Sequence, residues 1–260
     1  MICGNSQFKF SVSQNKKEQS FMKHTQTAQR IIDTIKQNRI STTEVADALG
    51  KRYVMQRLQP ITHDLHCVGI VRPVFTAYDS NFGIHDQVRS VKPDEVVVVY
   101  PYRCEGRAIL GDLVAKFVTL YRRAAAVAVD GLVRDAARLR RERYPIWATG
   151  VTPLGCYNIK GKQFPKNKEK KVRAEVEGGI AVCDDGGVVV IPAAEVTVAT
   201  LEKLSRIELQ EDIWYYCLNV LKWDTKRIVV DRDYLREPGL LPAAYAEAVK
   251  SLERRLDESG

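Results

Sequence analysis

The chain has 260 residues, a formal charge of +8, and 45% hydrophobic residues. This length is sufficient for one large domain or two small ones with a substantial core. No apolar run reaches the roughly 18 residues that a transmembrane helix needs, and the N-terminal segment lacks the apolar core of a signal peptide. We therefore expect a cytoplasmic protein that does not enter the membrane.

The six cysteines are scattered along the chain, and no two of them form a C-x-x-C pair. This distribution does not indicate a zinc ribbon or a thioredoxin-like redox motif. We expect the cysteines to be reduced thiols, most of them buried.

The N-terminal part predicts a tail, two helices and two strands. Residues 1–24 are polar and aperiodic, which is typical of a disordered tail. Isoleucines on one face predict a helix over residues 25–38. A capping box, Ser41 to Glu44, begins a second helix that Gly50 ends. The next apolar runs predict strands over residues 66–77 and 95–100.

The remainder of the chain alternates helix and strand, as α/β proteins do. Helices are predicted over residues 111–123, 134–143, 196–221 and 242–256. Strands are predicted over residues 124–129, 145–147, 172–177, 179–183, 187–191 and the KRIVV segment, 226–230. An Asp-Asp-Gly-Gly turn joins two of these strands as a hairpin. We expect one α/β domain over residues 25–225 and a C-terminal extension over residues 226–260.

Polar residues flank the buried strand at 124–129, where α/β proteins usually build anion or metal sites. Gly111 and Asp112 stand at a predicted helix start, and Arg134 and Asp135 follow the strand. Each pair alone is equally typical of an ordinary helix start. Together the two pairs indicate a binding site for a 2-oxo acid, because the arginine can bind a carboxylate and the acids can bind a divalent cation. His85 is either a proton carrier or an ordinary loop residue.

In such a site the metal would polarise the ketone of the substrate. Carbon–carbon cleavage then leaves an enolate, whose negative charge the metal stabilises. No nucleotide-binding or serine-hydrolase glycine motif is present to favour other chemistry.

A basic segment, Lys160–Arg173, contains seven basic residues and one acid. Such a segment can contact nucleic acid or another anionic partner, but it is more often a solvated loop. No aromatic-rich strand motif interleaves with the charge, as single-strand RNA binders would show. We therefore expect no nucleic-acid partner.

The order of the motifs resembles the RraA-like family. This family joins regulators of RNase E activity A to 4-hydroxy-4-methyl-2-oxoglutarate aldolases, and its members were long labelled demethylmenaquinone methyltransferases. The matching segments, in chain order, are ISTTEVADALGK, VGIVRPVFTA, KPDEVVVV, GDLVA, VDGLVRD, YPIWATGVTP and DDGGVVVIP. The resemblance covers residues 28–225. It implies an α/β/β/α sandwich of the swivelling-domain type, with a helical C-terminal extension outside the match.

The resemblance also implies roles for individual residues. Arg134 would contact the substrate carboxylate and carbonyl, and Asp135, with Asp112 nearby, would bind Mg²⁺ or Mn²⁺. Backbone amides of Gly111, Leu113 and Val114 would hold the pyruvate moiety. The family assembles as trimers or pairs of trimers with active sites between subunits. The candidates for acids that a neighbouring chain contributes are Glu44, Asp47 and Glu208.

In the aldolases of this family the signature is an acid, about twenty residues, Arg-Asp, two further residues and a second acid. This chain departs from that signature in two ways. The spacer from Asp112 to Arg134 has 21 residues, one more than the pattern, and Arg138 replaces a trailing acid. An arginine cannot hold metal-bound water as a carboxylate does, so the surroundings of the metal are altered. Asp135, however, is the acid that the RNase-regulator branch has typically lost, and its presence favours an enzyme.

Three hypotheses follow. The first is a metal-dependent lyase that acts on a 2-oxo acid, by retro-aldol cleavage or by decarboxylation of a β-keto acid. The second is a non-catalytic regulator that engages RNase or RNA through the basic segment. The third keeps the metal site but acts on another anionic substrate.

Overall fold

The computed structural model describes residues 24–247 and 249. The chain divides into two compact units between Leu201 and Glu202, inside a long helix. This division precedes the domain boundary expected at residue 225, and the expected boundary itself stays a prediction. Apart from residue 24, the predicted N-terminal tail lies outside the described residues.

The first unit contains one mixed sheet of eight strands. The strands are β1 (Gln59–Pro60), β2 (Cys67–Ala77), β3 (Glu95–Tyr102), β4 (Ala108–Leu110), β5 (Ala126–Val133), β6 (Ile146–Val151), β7 (Ile180–Asp184) and β8 (Gly187–Ile191). Their order is β1-β6-β5-β3-β2-β7-β8, and β4 pairs with β5. The β2–β3, β3–β5, β4–β5 and β5–β6 pairs are parallel, and the other pairs are antiparallel.

The two edges of this sheet approach each other. Strand β1 contacts β8, and Val54 forms an antiparallel bridge with Val189 of β8. The sheet is therefore nearly closed, like a barrel. This mixed architecture, followed by helices at the C-terminal end of the described chain, confirms the expected fold class.

Helices alternate with these strands along the chain. The α-helices are α1 (residues 24–38), α2 (Thr42–Ala48), α3 (Phe82–Gln87), α4 (Asp112–Lys116), α5 (Ala136–Arg141), α6 (Lys166–Val176), α7 (Val198–Asn219) and α8 (Asp233–Arg236). Short 3-10 turns cover Val88–Ser90, Ala193–Glu195 and Pro238–Leu240, and π-helical turns cover Phe117–Tyr121 and Lys226–Val230. Residues 243–247 and 249 are helical and residue 242 is not, while residues 248 and 250–256 of the predicted terminal helix lie outside the described residues. None of the helices in the described part of the chain combines the length and apolarity that a membrane span requires.

Central strands are buried on both faces, which explains their uninterrupted apolar sequences. Val97 and Val99 of β3 pack with residues of the flanking helices α3, α4 and α5. Val96 and Val98 point to the opposite face, where they pack with Trp147 and with residues of β7 and β8. Successive side chains of a strand alternate between faces, so one apolar run supplies both cores.

The capping box predicted at α2 is present. The Ser41 hydroxyl accepts the Glu44 N–H at 3.2 Å, and the Glu44 carboxylate accepts the Ser41 N–H at 2.7 Å. Two donors of the first helical turn are thereby satisfied.

Two predicted strands are wrong. Residues 172–177 belong mainly to α6, where Arg173 donates to Glu169 and Glu177, each four residues away. These helical pairs outweigh the strand preference of the valines. The KRIVV segment is a π-helical turn, whose start is fixed by the Asp224 carboxylate accepting the Arg227 N–H at 3.0 Å.

The second unit is helical and has its own apolar cluster. Ile213 and Cys217 of α7 are fully buried and pack with Trp223, Ile228 and Tyr234. The Arg227 guanidinium lies 3.7 Å from the centre of the Trp223 ring and also pairs with Asp233 and Glu237.

Candidate functional site

Parallel pairing of β4 with β5 brings the predicted site residues together. Leu110, the last residue of β4, lies opposite Val133, the last residue of β5. The Arg134 N–H donates to the Leu110 carbonyl at 3.0 Å. The Gly-Asp pair that follows β4 and the Arg-Asp pair that follows β5 therefore lie side by side at the carboxyl end of the sheet.

The carboxylate of Asp135 reaches across to the start of α4. Asp135 has a left-handed backbone with φ of 59°, which is uncommon for a residue other than glycine, and its side chain makes no capping bond to its own helix α5. Its Oδ2 atom instead accepts the Asp112 N–H at 3.1 Å. The same oxygen lies 3.5 Å from Arg134 Nε. The chain thus directs this acid toward the residues that follow β4.

Two glycines leave room for the Arg134 side chain. A Cβ atom at Gly111 would collide with Asp135 Oδ2 and would lie 2.9 Å from Arg134 Cγ. A Cβ atom at Gly155 would lie 2.6 Å from Arg134 Nη1. Gly155 is held there by a parallel bridge to Ala108 of β4. Gly111 was predicted from the sequence and Gly155 was not, because Gly155 reaches the site only through the pairing of its segment, after β6, with β4.

Arg138 pairs with Asp112. Its Nη1 atom donates to Asp112 Oδ2 at 2.5 Å, from a position one turn along α5 after Asp135. The bond from Arg138 is the main reason why the pKa of Asp112 lies below its ordinary value, and interaction with Asp135 adds to the effect. The same bond raises the pKa of Arg138. The arginine that replaces the signature acid therefore neutralises one of the two carboxylates.

A pocket of about 80 Å³ opens beside these residues. Its walls include residues 111–114, Arg134 and Gly155. Since one water molecule occupies about 30 Å³, the pocket has room for a few waters or a small acid. Leu113 and Val114, which the resemblance assigned to substrate binding, thus line the same pocket as Arg134.

Polar groups missed by the sequence analysis also line this pocket. Asn81 and Asn158 belong to its wall, together with the previously considered His85. Asn81 Oδ1 is buried and has no hydrogen-bond partner among the described residues. A buried acceptor without a partner is costly, so a water molecule or a ligand hydroxyl would satisfy it.

The acids of the site fit a cation only in part. In the described part of the chain, no three His, Cys, Asp or Glu side chains gather as a metal-binding group. Asp112 and Asp135 are close enough to interact, which favours a cation between them. A metal would share Asp112 with Arg138, which leaves Asp135 as the stronger candidate for a direct ligand.

Two solved bacterial structures share this fold. An uncharacterised protein of Pseudomonas syringae is 20% identical, with a TM-score of 0.56 over 74% of this chain and 92% of that chain. Streptomyces coelicolor RraAS2, described as an unusual member of the RNase ES inhibitor RraA family, is 22% identical, with a TM-score of 0.53 over 70% of this chain and 94% of that one. At these identities the likeness supports the fold alone.

The family itself is identified by a sequence model. The RraA-like family, described as Aldolase/RraA, matches residues 42–190. This range contains Gly111, Asp112, Arg134 and Asp135, and it covers more than half of the chain. The chain therefore belongs to the RraA-like family.

Proposed function

We propose that this protein is a divalent-metal-dependent lyase that acts on a 2-oxo acid. The reaction is retro-aldol cleavage or decarboxylation of a β-keto acid, since both develop the same enolate charge on the substrate. The observation that carries the proposal is the convergence of Gly111, Asp112, Arg134 and Asp135 around one pocket at the carboxyl ends of parallel strands. The family description, which includes aldolases, agrees with this proposal.

Arg134 is the proposed anchor for the substrate carboxylate. A guanidinium can donate two parallel hydrogen bonds to a carboxylate, which fixes orientation as well as charge. The absence of side chains at Gly111 and Gly155 leaves the space in which this guanidinium lies. Gly111, Leu113 and Val114 line the same pocket, and their backbone amides would bind the other oxygens of the pyruvate moiety.

Asp135, and Asp112 directly or through water, would hold Mg²⁺ or Mn²⁺. A bound ion supplies Lewis-acid stabilisation of the negative charge that develops on the 2-oxo oxygen. Asp135 is oriented for this role by its left-handed backbone and by the Asp112 N–H. Asn81 Oδ1 would accept a hydroxyl of the substrate, and His85 is the proposed proton carrier at the pocket wall.

Arg138 distinguishes this site from the signature of the aldolases. Its charge offsets that of Asp112, so the site carries less negative charge than one with an acid at this position. We expect a weaker metal affinity and a substrate preference adapted to the additional cation. A metal-dependent enzyme acting on a different anionic substrate would use the same residues.

A homotrimer or a pair of trimers is the proposed assembly, with sites between subunits. Large apolar side chains are exposed on α4 and its π-helical continuation, next to the pocket, among them Leu113, Leu120 and Tyr121. Such a patch is typical of an interaction surface. Among the acids considered for the neighbouring site, Glu44 is engaged in its own capping box, and Asp47 pairs with Lys51 at 2.9 Å.

Thermal unfolding with Mn²⁺ tests the metal site. A ligand that binds only the folded state raises the melting temperature. We expect Mn²⁺ to raise that of the wild type but not that of Asp135→Ala. Asp86→Ala, which removes an exposed carboxylate outside the pocket, is the control and should respond like the wild type. No Mn²⁺ response in the wild type, or an equal response in Asp135→Ala, would contradict the proposal.

A further inference from the structure

Two cysteines from separate loops interact, and one of them, Cys156, lines the pocket. Cys104 follows β3, and Cys156 follows β6. Asp79 aligns the two loops, because its N–H donates to the Arg103 carbonyl at 3.2 Å and its carbonyl accepts the Tyr157 N–H at 2.8 Å. Cys104 follows Arg103 and Cys156 precedes Tyr157, so Asp79 links the two loops beside both cysteines, and the two thiols are close enough to form a side-chain hydrogen bond.

The two thiols interact and differ in acidity. The Cys156 thiol stabilises the sulfur of Cys104 as an anion, which lowers the pKa of Cys104 to about 7. The same interaction, together with burial, raises the pKa of Cys156. Both are free thiols at the edge of the core, and both are only partly buried. The thiolate is the reactive form of cysteine, so Cys104 has the character of an attacking thiol and Cys156 that of a resolving thiol.

A second cysteine pair in the same unit has opposite properties. Cys67 of β2 lies directly opposite Cys183 of β7. Burial raises the pKa of Cys67 to about 11 and that of Cys183 well above its ordinary value. Cys183 is fully buried. Cys67 is partly buried, like Cys104 and Cys156, but it lacks a ready thiolate and its neighbour Cys183 is inaccessible. This pair therefore provides a comparison within the molecule.

We propose that Cys104 and Cys156 form a redox-active dithiol, which a low-molecular-weight disulfide oxidises to an intramolecular disulfide. The Cys104 thiolate attacks one sulfur of the reagent and releases the first reagent thiolate. The Cys156 thiol loses its proton to solvent, attacks Cys104 Sγ and releases the second. Two electrons pass from the protein to the reagent, which leaves as two thiols.

The position of this pair connects it to the pocket wall. Cys156 lines the pocket, and its neighbour Gly155 packs against the guanidinium of Arg134. Arg107 also binds this segment, by donating to the Gly155 carbonyl at 3.0 Å. A bond between the sulfurs would therefore form next to the proposed substrate anchor. The thiol chemistry itself does not depend on which reaction the pocket performs.

Disulfide mapping tests the proposal. Reduced protein carrying Cys3→Ser, which removes the cysteine outside the described residues, is incubated with oxidised glutathione, alkylated, digested and analysed by mass spectrometry. We expect a linked Cys104–Cys156 peptide that dithiothreitol abolishes. Cys156→Ser should stop at a glutathione adduct on Cys104, and Cys104→Ser should give neither product at these two positions.

The matched control is Cys67→Ser, which should form the Cys104–Cys156 link as readily as its parent. Circular dichroism establishes that each variant is folded. Absence of the linked peptide from the folded parent protein would overturn the proposal, and so would a glutathione adduct that forms on Cys156 in preference to Cys104. Because the readout is chemical, its failure is distinguishable from an absence of lyase activity.

Discussion

At the residue scale, the position of Arg134 depends on the absence of side chains at Gly111 and Gly155. Each glycine occupies a place where a side chain would meet the arginine, and at Gly111 it would also meet Asp135. The restriction at Gly111 comes from this close approach, since its φ of −135° is open to any residue. Small residues here are therefore a requirement of the site and not of the fold.

Gly111→Ala is predicted to damage the site while leaving the fold intact. The added Cβ displaces Asp135 and Arg134, and misplacement of reacting groups by about 1 Å can cost about 100-fold in rate. We expect the rate of metal-dependent pyruvate release to fall by about 100-fold. Urea unfolding of the same variant tests whether its stability is retained. Gly161→Ala is the control, because its Cβ would meet only the Ile159 carbonyl, at 4.0 Å. Wild-type activity in Gly111→Ala would contradict the described geometry.

The Arg138–Asp112 pair predicts a pH-dependent contribution to stability. Arg138 lowers the pKa of Asp112 in the folded protein below its ordinary value of 3.8. A carboxyl group with a lowered folded pKa stabilises the protein above its unfolded pKa, and this stabilisation is lost as the pH falls through the folded pKa. Arg138→Gln should therefore be less stable than the wild type at pH 7, and the difference should shrink below pH 4.

Urea unfolding of both proteins across this pH range measures the effect. Arg141→Gln is the control, because Arg141 also lies on α5 but pairs with Glu142 and not with Asp112. A difference between wild type and Arg138→Gln that grows as the pH falls would contradict the assignment of the pair.

Part of this site could be predicted from the sequence. A glycine and an acid at a predicted helix start, and Arg-Asp after a buried strand, indicated that Asp112 and Asp135 could share one site. Strand β4 before Gly111 and its parallel pairing with β5 were not predicted. The contact of Arg138 with Asp112 could not be derived, because the substitution in the signature indicates only that an acid is missing. Asn81 and Gly155 come from segments distant in the chain, and only tertiary pairing brings them to the pocket.

At the element scale, the strands were predictable where their sequences are continuously apolar. Strands β3 and β5 are buried on both faces, so neither could be mistaken for an exposed segment. Helix α6 was misjudged because its docking depends on other elements. Lys168 lies 4.7 Å from the centre of the Tyr102 ring and Arg173 4.8 Å from that of Phe75. These cation–π contacts were not visible from the order of the residues.

Phe164→Ala is predicted to loosen α6. The Phe164 ring lies 4.9 Å from that of Phe75 and 5.9 Å from that of Tyr102, between centres. Loss of these contacts should lower the free energy of unfolding by about 1–2 kcal/mol, since aromatic pairs contribute beyond simple burial. Urea unfolding measures this value. Gln163→Ala, at an exposed neighbouring residue, should change the free energy of unfolding little. An equal loss in the two variants would contradict the aromatic anchoring of α6.

At the scale of the whole molecule, the proposed assembly depends on the apolar surface beside the pocket. Leu120 is 56% exposed and Tyr121 is 71% exposed on the π-helical turn that continues α4. Contact with a second copy of the chain would cover these side chains and enclose the pocket. The sequence implied this assembly only through the family resemblance, because periodicity does not show which faces a partner covers.

Leu120→Asp is predicted to shift the protein toward the monomer, because burying an unpaired carboxylate at a subunit contact is costly. Analytical ultracentrifugation measures the assembly of the wild type and of the variant. Gln37→Asp is the charge control, because it adds the same charge at an exposed polar residue of a different helix, α1. A wild-type protein that is monomeric at micromolar concentration would contradict the proposed trimer, and an unchanged oligomer in Leu120→Asp would exclude this surface as its contact.

Pyruvate release tests the central proposal most directly. Oxaloacetate and 4-hydroxy-4-methyl-2-oxoglutarate are supplied to the purified protein with Mg²⁺, with chelator, and with Asp135→Ala in place of the wild type. We predict release from at least one substrate that requires the metal, is lost in Asp135→Ala and persists in Asp86→Ala. Release that continues in the presence of chelator, or none above the uncatalysed rate from either substrate, would contradict a metal-dependent 2-oxo acid lyase.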